Sequence, residues 1–82
     1  MIKNNDKDNV CIGLCVWNGQ NTIKETLVSL LNQNFSKKIS IIILDNQSDD
    51  LTVPIIKDLK KKNKKKNIDI KLIIDKKKRN VV

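Results

Sequence analysis

The 82-residue chain has no histidine and no tyrosine, one arginine, one proline, two glycines, and only Trp17 and Phe35 as aromatics. Each scarcity removes a class of chemistry. Without histidine there is no Ser-His or Cys-His nucleophile pair, and zinc bound by the two cysteines would lack further ligands. With only Gly13 and Gly19, neither the G-x-G-x-x-G turn nor a P-loop can be written. Asp45-x-Gln47-x-Asp49 has the start of a calcium loop. Asp50, however, replaces the turn glycine and Ile56 the bidentate glutamate. No apolar run approaches the roughly 20 residues that span a bilayer, and Met1 to Asn9 is too polar for a secretory leader. A cytoplasmic protein, or one peripheral to a membrane, is expected.

Lysine is what the chain has in excess. Seventeen Lys+Arg against nine Asp+Glu give a formal charge of +8, which attracts phosphates, nucleic acid or acidic lipid without choosing among them. Cys11 and Cys15 lie four apart in an apolar run. In a strand they share a face about 13 Å apart, beyond disulfide reach, and are expected as small buried thiols in a reducing compartment.

Residues 1–9 read as a disordered polar lead and 10–82 as one small domain. Val10 to Val16 predicts a strand covered on both faces, and Asn18-Gly19 a turn. Thr22 and Glu25 fit a capping box, with Thr22 as N-cap. Ile23, Leu27, Leu30 and Leu31 then form one helical stripe. Ile39 to Leu44 is a second strand, closed by the polar cluster of residues 45–50. Leu51, Ile55 and Leu59 mark a second helix, with Pro54 in its first turn if Asp50 caps. Ile68, Ile70, Leu72 and Ile74 alternate as a third strand.

The order β-α-β-α-β with right-handed crossovers predicts an α/β fold: half of a doubly wound, Rossmann-like parallel sheet with ligands gathering at the strands' carboxyl ends. Trp17, Asn18 and Asp45 fall there. Two crossovers in the same direction place both helices on one face. The other face then needs a cover, from a second subunit or from further C-terminal sequence.

Three segments occur in a telling order: "CVWNG" after the first strand, a helix ending "SLLNQNF", and "IIILDNQSDD" closing the second strand. Together they resemble the N-terminal part of family 2 glycosyltransferases of the GT-A type, from about Val10 to at least Ile74. The resemblance implies binding of a nucleotide diphosphate sugar, and in full-length relatives sugar transfer to an acceptor hydroxyl. It puts Trp17 at the aromatic that packs on the base and Asn18 at the following polar position. Asp45 falls on the first carboxylate of the acidic loop, which contacts the nucleoside, Asn46 on the second, and Asp50 on the last. Apart from the resemblance, Arg79, in the run "DKKKRN" after the third strand, is placed to meet a diphosphate together with lysines near the strand ends, an exposed tail residue being its plainer reading.

The departures from the family pattern are specific. Cys15 and Val16 replace a Pro-Thr pair, and Asn46-Gln47 replaces Asp-Gly, so the loop is expected to be less free to take positive φ. The family's metal-binding Asp-x-Asp motif and catalytic base would lie beyond Val82. A divalent ion, manganese or magnesium, is therefore expected only in a full-length relative, and no catalytic residue or turnover in this chain alone.

Blander readings stand beside these. Trp17 fills a sheet edge, Asn18 shapes a turn, Asp45 ends a strand, and Asp49 and Asp50 cap a helix. Lysines 57–66 are a solvated helix end favoured by the dipole. The alternatives in function are a small basic protein binding nucleic acid or another anion, and a truncated remnant without function. Against the first, the basic segments carry no interleaved aromatics for base stacking.

Overall fold

The computed structural model describes residues 9–75. Its elements are β1 (Asn9–Val16), α1 (Gln20–Leu31), β2 (Lys38–Asp45), α2 (Thr52–Lys62) and β3 (Ile68–Ile74). The strands form one parallel sheet in the order β1-β2-β3, as the alternation of strand and helix requires. Val16 is level with Asp45, and Asp45 with Ile74, so all three strands end on one line. Two further bonds carry the ladder past that line: the Asn46 N–H donates to the Val16 carbonyl at 2.9 Å and the Asp75 N–H to the Asp45 carbonyl at 2.8 Å. Asn9, expected in the polar lead, already pairs with Lys38. Residues 1–8 of that lead lie outside the described residues.

The core is small and one-sided. Ile39, Ile41 and Ile43 of β2 and Ile68 and Ile70 of β3 are buried together with Ile23 and Leu27 of α1 and Ile56 of α2. Side chains alternate across a strand, so both helices lie on this one face. Each buried isoleucine or leucine contributes about 1.5–3 kcal/mol by leaving water. The other face carries Cys11, Gly13, Cys15, Ser40, Ile42, Leu44, Lys71 and Ile73, all exposed or half-buried. Nothing among the described residues covers it.

This overturns the expectation for the first strand and for the thiols. β1 is an edge strand covered on one face only, and Cys11 and Cys15 are both free and exposed. An apolar residue type predicts burial only where a second layer exists to bury it. Gly13 belongs to the same open side: a Cβ added there would meet nothing within 4 Å.

The helix starts also differ from expectation. α1 begins at Gln20, with Gly19 as its N-cap and no capping side chain of its own. Thr22 sits inside the first turn, its hydroxyl donating to the Gly19 carbonyl at 3.3 Å, so the Thr22–Glu25 capping box does not form. Side chains about thirty residues away do that work. The Gly19 N–H donates to Thr52 Oγ1 at 2.8 Å and the Gln20 N–H to Asp50 Oδ2 at 3.2 Å. In return the Leu51 N–H donates to Gln20 Oε1 at 2.9 Å. Each loop thus satisfies amides that the start of the other's helix leaves open. Pro54 falls in the first turn of α2, where its missing N–H costs little.

Candidate site at the strand ends

The loop after β1 and the loop after β2 meet at the carboxyl edge of the sheet. Asn18 is the joint between them. Its N–H donates to Ser48 Oγ, and its Oδ1 accepts the Asp49 N–H, both at 2.8 Å. Its φ of 48° is left-handed, a region asparagine tolerates better than most residues. Gln47 also takes a left-handed φ, 57°. The replacement of Asp-Gly by Asn-Gln therefore does not keep the loop out of that conformation. It makes a longer side chain adopt it, at a cost of about 1–2 kcal/mol.

Trp17 is 64% exposed, the largest value among the exposed large apolar side chains. Asn46, one residue past the last paired row like Trp17, is exposed too. Asp45 is not. Its side chain is fully buried on the helix-covered face, with Oδ2 accepting the Ser48 N–H at 3.1 Å and Oδ1 accepting the Ser48 hydroxyl. The edge therefore offers an indole face and a carboxamide to solvent and keeps the Asp45 carboxylate beneath the loop.

Asp50 has a scaffolding position. Oδ1 accepts the Thr52 N–H at 2.9 Å and the Thr52 hydroxyl, while Oδ2 accepts the Gln20 N–H. Its partial burial pushes the pKa up. The hydrogen bonds from Thr52, Gln20 and its own amide outweigh that and hold the carboxyl below the ordinary aspartate value of 3.8. Thr52 is fully buried, its hydroxyl donating to Asp50 and accepting from Gly19.

Ser48, Thr52 and Gln20 were not singled out by the sequence, because the bonds by which they join the two loops reach partners about thirty residues away. Gly19 is fixed by close approach: a Cβ there would stand 2.8 Å from a methyl of Val16, a stiff β-branched neighbour.

The expected phosphate-binding lysines are not at this edge among the described residues. Segments 17–22 and 45–56 contain no lysine or arginine. Lysines 60–62 and 64–66 instead lie at the end of α2 and in the loop entering β3, at the opposite, amino-terminal edge of the sheet. Arg79, in the second basic run, lies outside the described residues. Among those described, no group of three or more Asp, Glu, Cys or His stands close enough to hold a metal ion. The described residues thus offer no divalent site of their own. Among the described residues, no helix is long and apolar enough to cross a membrane.

Compared with known proteins, the chain matches no curated protein and no solved structure. Residues 11–81 match the family model described as "Glycosyl transferase family 2". That span takes in the whole sheet from Cys11 and both interlocked loops, and with it the chain belongs to glycosyl transferase family 2.

Proposed function

We propose that this chain is the nucleotide-diphosphate-sugar-binding portion of a family 2 glycosyltransferase, one whose complete relatives move the sugar to an acceptor hydroxyl. The observation that carries this is the exposed Trp17 at the carboxyl edge of a parallel sheet, where such sheets bind ligands, in a chain of this family. An indole platform contributes about 1–3 kcal/mol per stacked base. Asn18 holds the platform's loop, and Asn46 offers donors and an acceptor beside it. Asp45 enters by exchange: its carboxylate gives up the Ser48 hydroxyl and accepts a base or ribose donor, an interaction of about 1.5–3 kcal/mol before that exchange is counted. Arg79 and the lysines preceding it supply charge for the diphosphate.

The same reading gives the uncovered face a second subunit or the remainder of a longer transferase as its cover, and places the protein in the cytoplasm. It expects binding without turnover from the 82 residues alone.

Trp17 is the only tryptophan and so reports its own occupancy. Titration with uridine, guanosine and cytidine diphosphates is expected to quench its emission to saturation, to prefer one base and to survive added salt. An emission that no diphosphate alters, from a chain whose circular dichroism shows it folded, would remove the reading.

A further inference from the structure

The described residues divide their charge between the two ends of the sheet. At the carboxyl edge stand Asp45, Asp49, Asp50 and Asp75, with no lysine in the loops that join α1 and α2 to the strands before them. The amino-terminal edge is the reverse. Segments 32–38 and 59–68, which form that edge, contain eight lysines and no acidic residue. Lys62 pairs with Asp58 at 3.1 Å, and the Lys65 ammonium donates to the Gln33 carbonyl at 2.8 Å. The other six, Lys37, Lys38, Lys60, Lys61, Lys64 and Lys66, are exposed, and their ammonium groups have no hydrogen bond or ion pair among the described residues. They come from two connections far apart in sequence, which the parallel topology brings to one end.

We infer that this lysine-bearing edge is a docking surface for an anionic lipid membrane, independent of the nucleotide reading. Six exposed ammonium groups on one edge sum to a local positive potential that attracts an anionic surface. The choice of lipid over nucleic acid follows from what accompanies the charge. Single-stranded nucleic acid is held by base stacking as well as charge. The one aromatic at this edge, Phe35, is half-buried and packed against the core. Arginine, the side chain suited to bidentate phosphate contact, is absent from the described residues. Lysine is a compact point charge on a flexible stem. A fluid anionic bilayer can bring one headgroup to each ammonium without matching a fixed phosphate spacing, and each such lysine adds to the attraction.

An open cavity of about 520 Å³ lies at the same edge, with Lys38 and Lys66 on its rim beside Ser40 and Asn67. Asp69 is also part of its wall, so the lysines around it rather than a closed anion pocket carry the binding. Docking by this edge turns the opposite one, with Trp17, toward water.

Cosedimentation of the full chain with phosphatidylserine–phosphatidylcholine vesicles tests this. Binding is expected to mixed vesicles but not to pure phosphatidylcholine, and to fall about tenfold or more between roughly 50 and 200 mM salt. A triple variant, Lys60→Glu, Lys61→Glu and Lys64→Glu, is expected to lose about tenfold or more. The matched control, Lys24→Glu, Lys57→Glu and Lys71→Glu, at exposed positions outside that edge, changes the net charge equally and is expected to lose much less. Equal losses from the two variants would overturn the proposal by reducing it to net charge. Binding to neutral vesicles, or tighter retention on single-stranded RNA than on the anionic vesicles, would overturn it as well.

Discussion

Ile42 and Ile43 are identical neighbours on β2, yet Ile43 is fully buried beneath the helices while Ile42 is half-buried on the other side of the sheet. The pair shows that burial here is conferred by the second layer and not by residue type. The buried packing that supports the sheet lies on the helix side. The opposite side keeps thiols, a glycine and three large apolar residues without a covering layer among the described residues.

The largest test of that contrast is to truncate the two isoleucines in turn. Ile43→Ala is expected to cost about 2–5 kcal/mol, and Ile42→Ala less than about 1 kcal/mol, in urea unfolding followed by circular dichroism. Equal costs would break the comparison and mean that something covers the second face in solution.

A smaller effect is expected where the helix side reaches the loops. Thr52→Val removes the acceptor of the Gly19 N–H and is expected to cost about 1–3 kcal/mol, measured the same way. Asp50→Asn probes the same junction through pH. A carboxyl whose pKa is lower in the folded chain binds fewer protons there than when unfolded. Its contribution is therefore whole above the ordinary value of 3.8 and disappears as pH falls through the lower folded value. The wild-type chain is expected to lose this part of its stability in that acid range, and Asp50→Asn to lack that component of the titration. Identical acid profiles would show that Asp50 does not couple the two helix starts.

The smallest effect concerns the strained position. Gln47→Gly relieves a left-handed backbone at the expense of a freer unfolded chain, a net gain of about 0.5 kcal/mol. A rise in melting temperature would confirm that the loop holds its shape against the side chain's preference.

What the sequence made legible follows from periodicity. Alternating isoleucines placed β3, the i, i+4, i+7 stripe placed α1, and the order of elements required a parallel sheet with both helices on one side. The positions of Trp17 and Asp45 at strand ends came from the same pattern. What it concealed were relations between distant residues. Thr22 and Glu25 satisfy a local capping rule, but the helix starts earlier: the Thr22 N–H already donates to the Gly19 carbonyl, and the open amides of Gly19 and Gln20 are bonded to Thr52 and Asp50. An aspartate ending a strand reads the same whether its carboxylate faces a ligand or, as in Asp45, lies buried on Ser48. Cys11 and Cys15 have the composition of a core strand and lack only the layer that would make them core.

The exchange of hydrogen bonds between the two carboxyl-edge loops has a consequence for how such a chain can vary. Gly19 and Gln20 give their amide protons to residues of the second loop, and Leu51 gives its own to the first. Each loop is therefore the template of the other. An inserted residue in either one would carry its amides away from acceptors fixed by its counterpart, so the two can change length only as a pair.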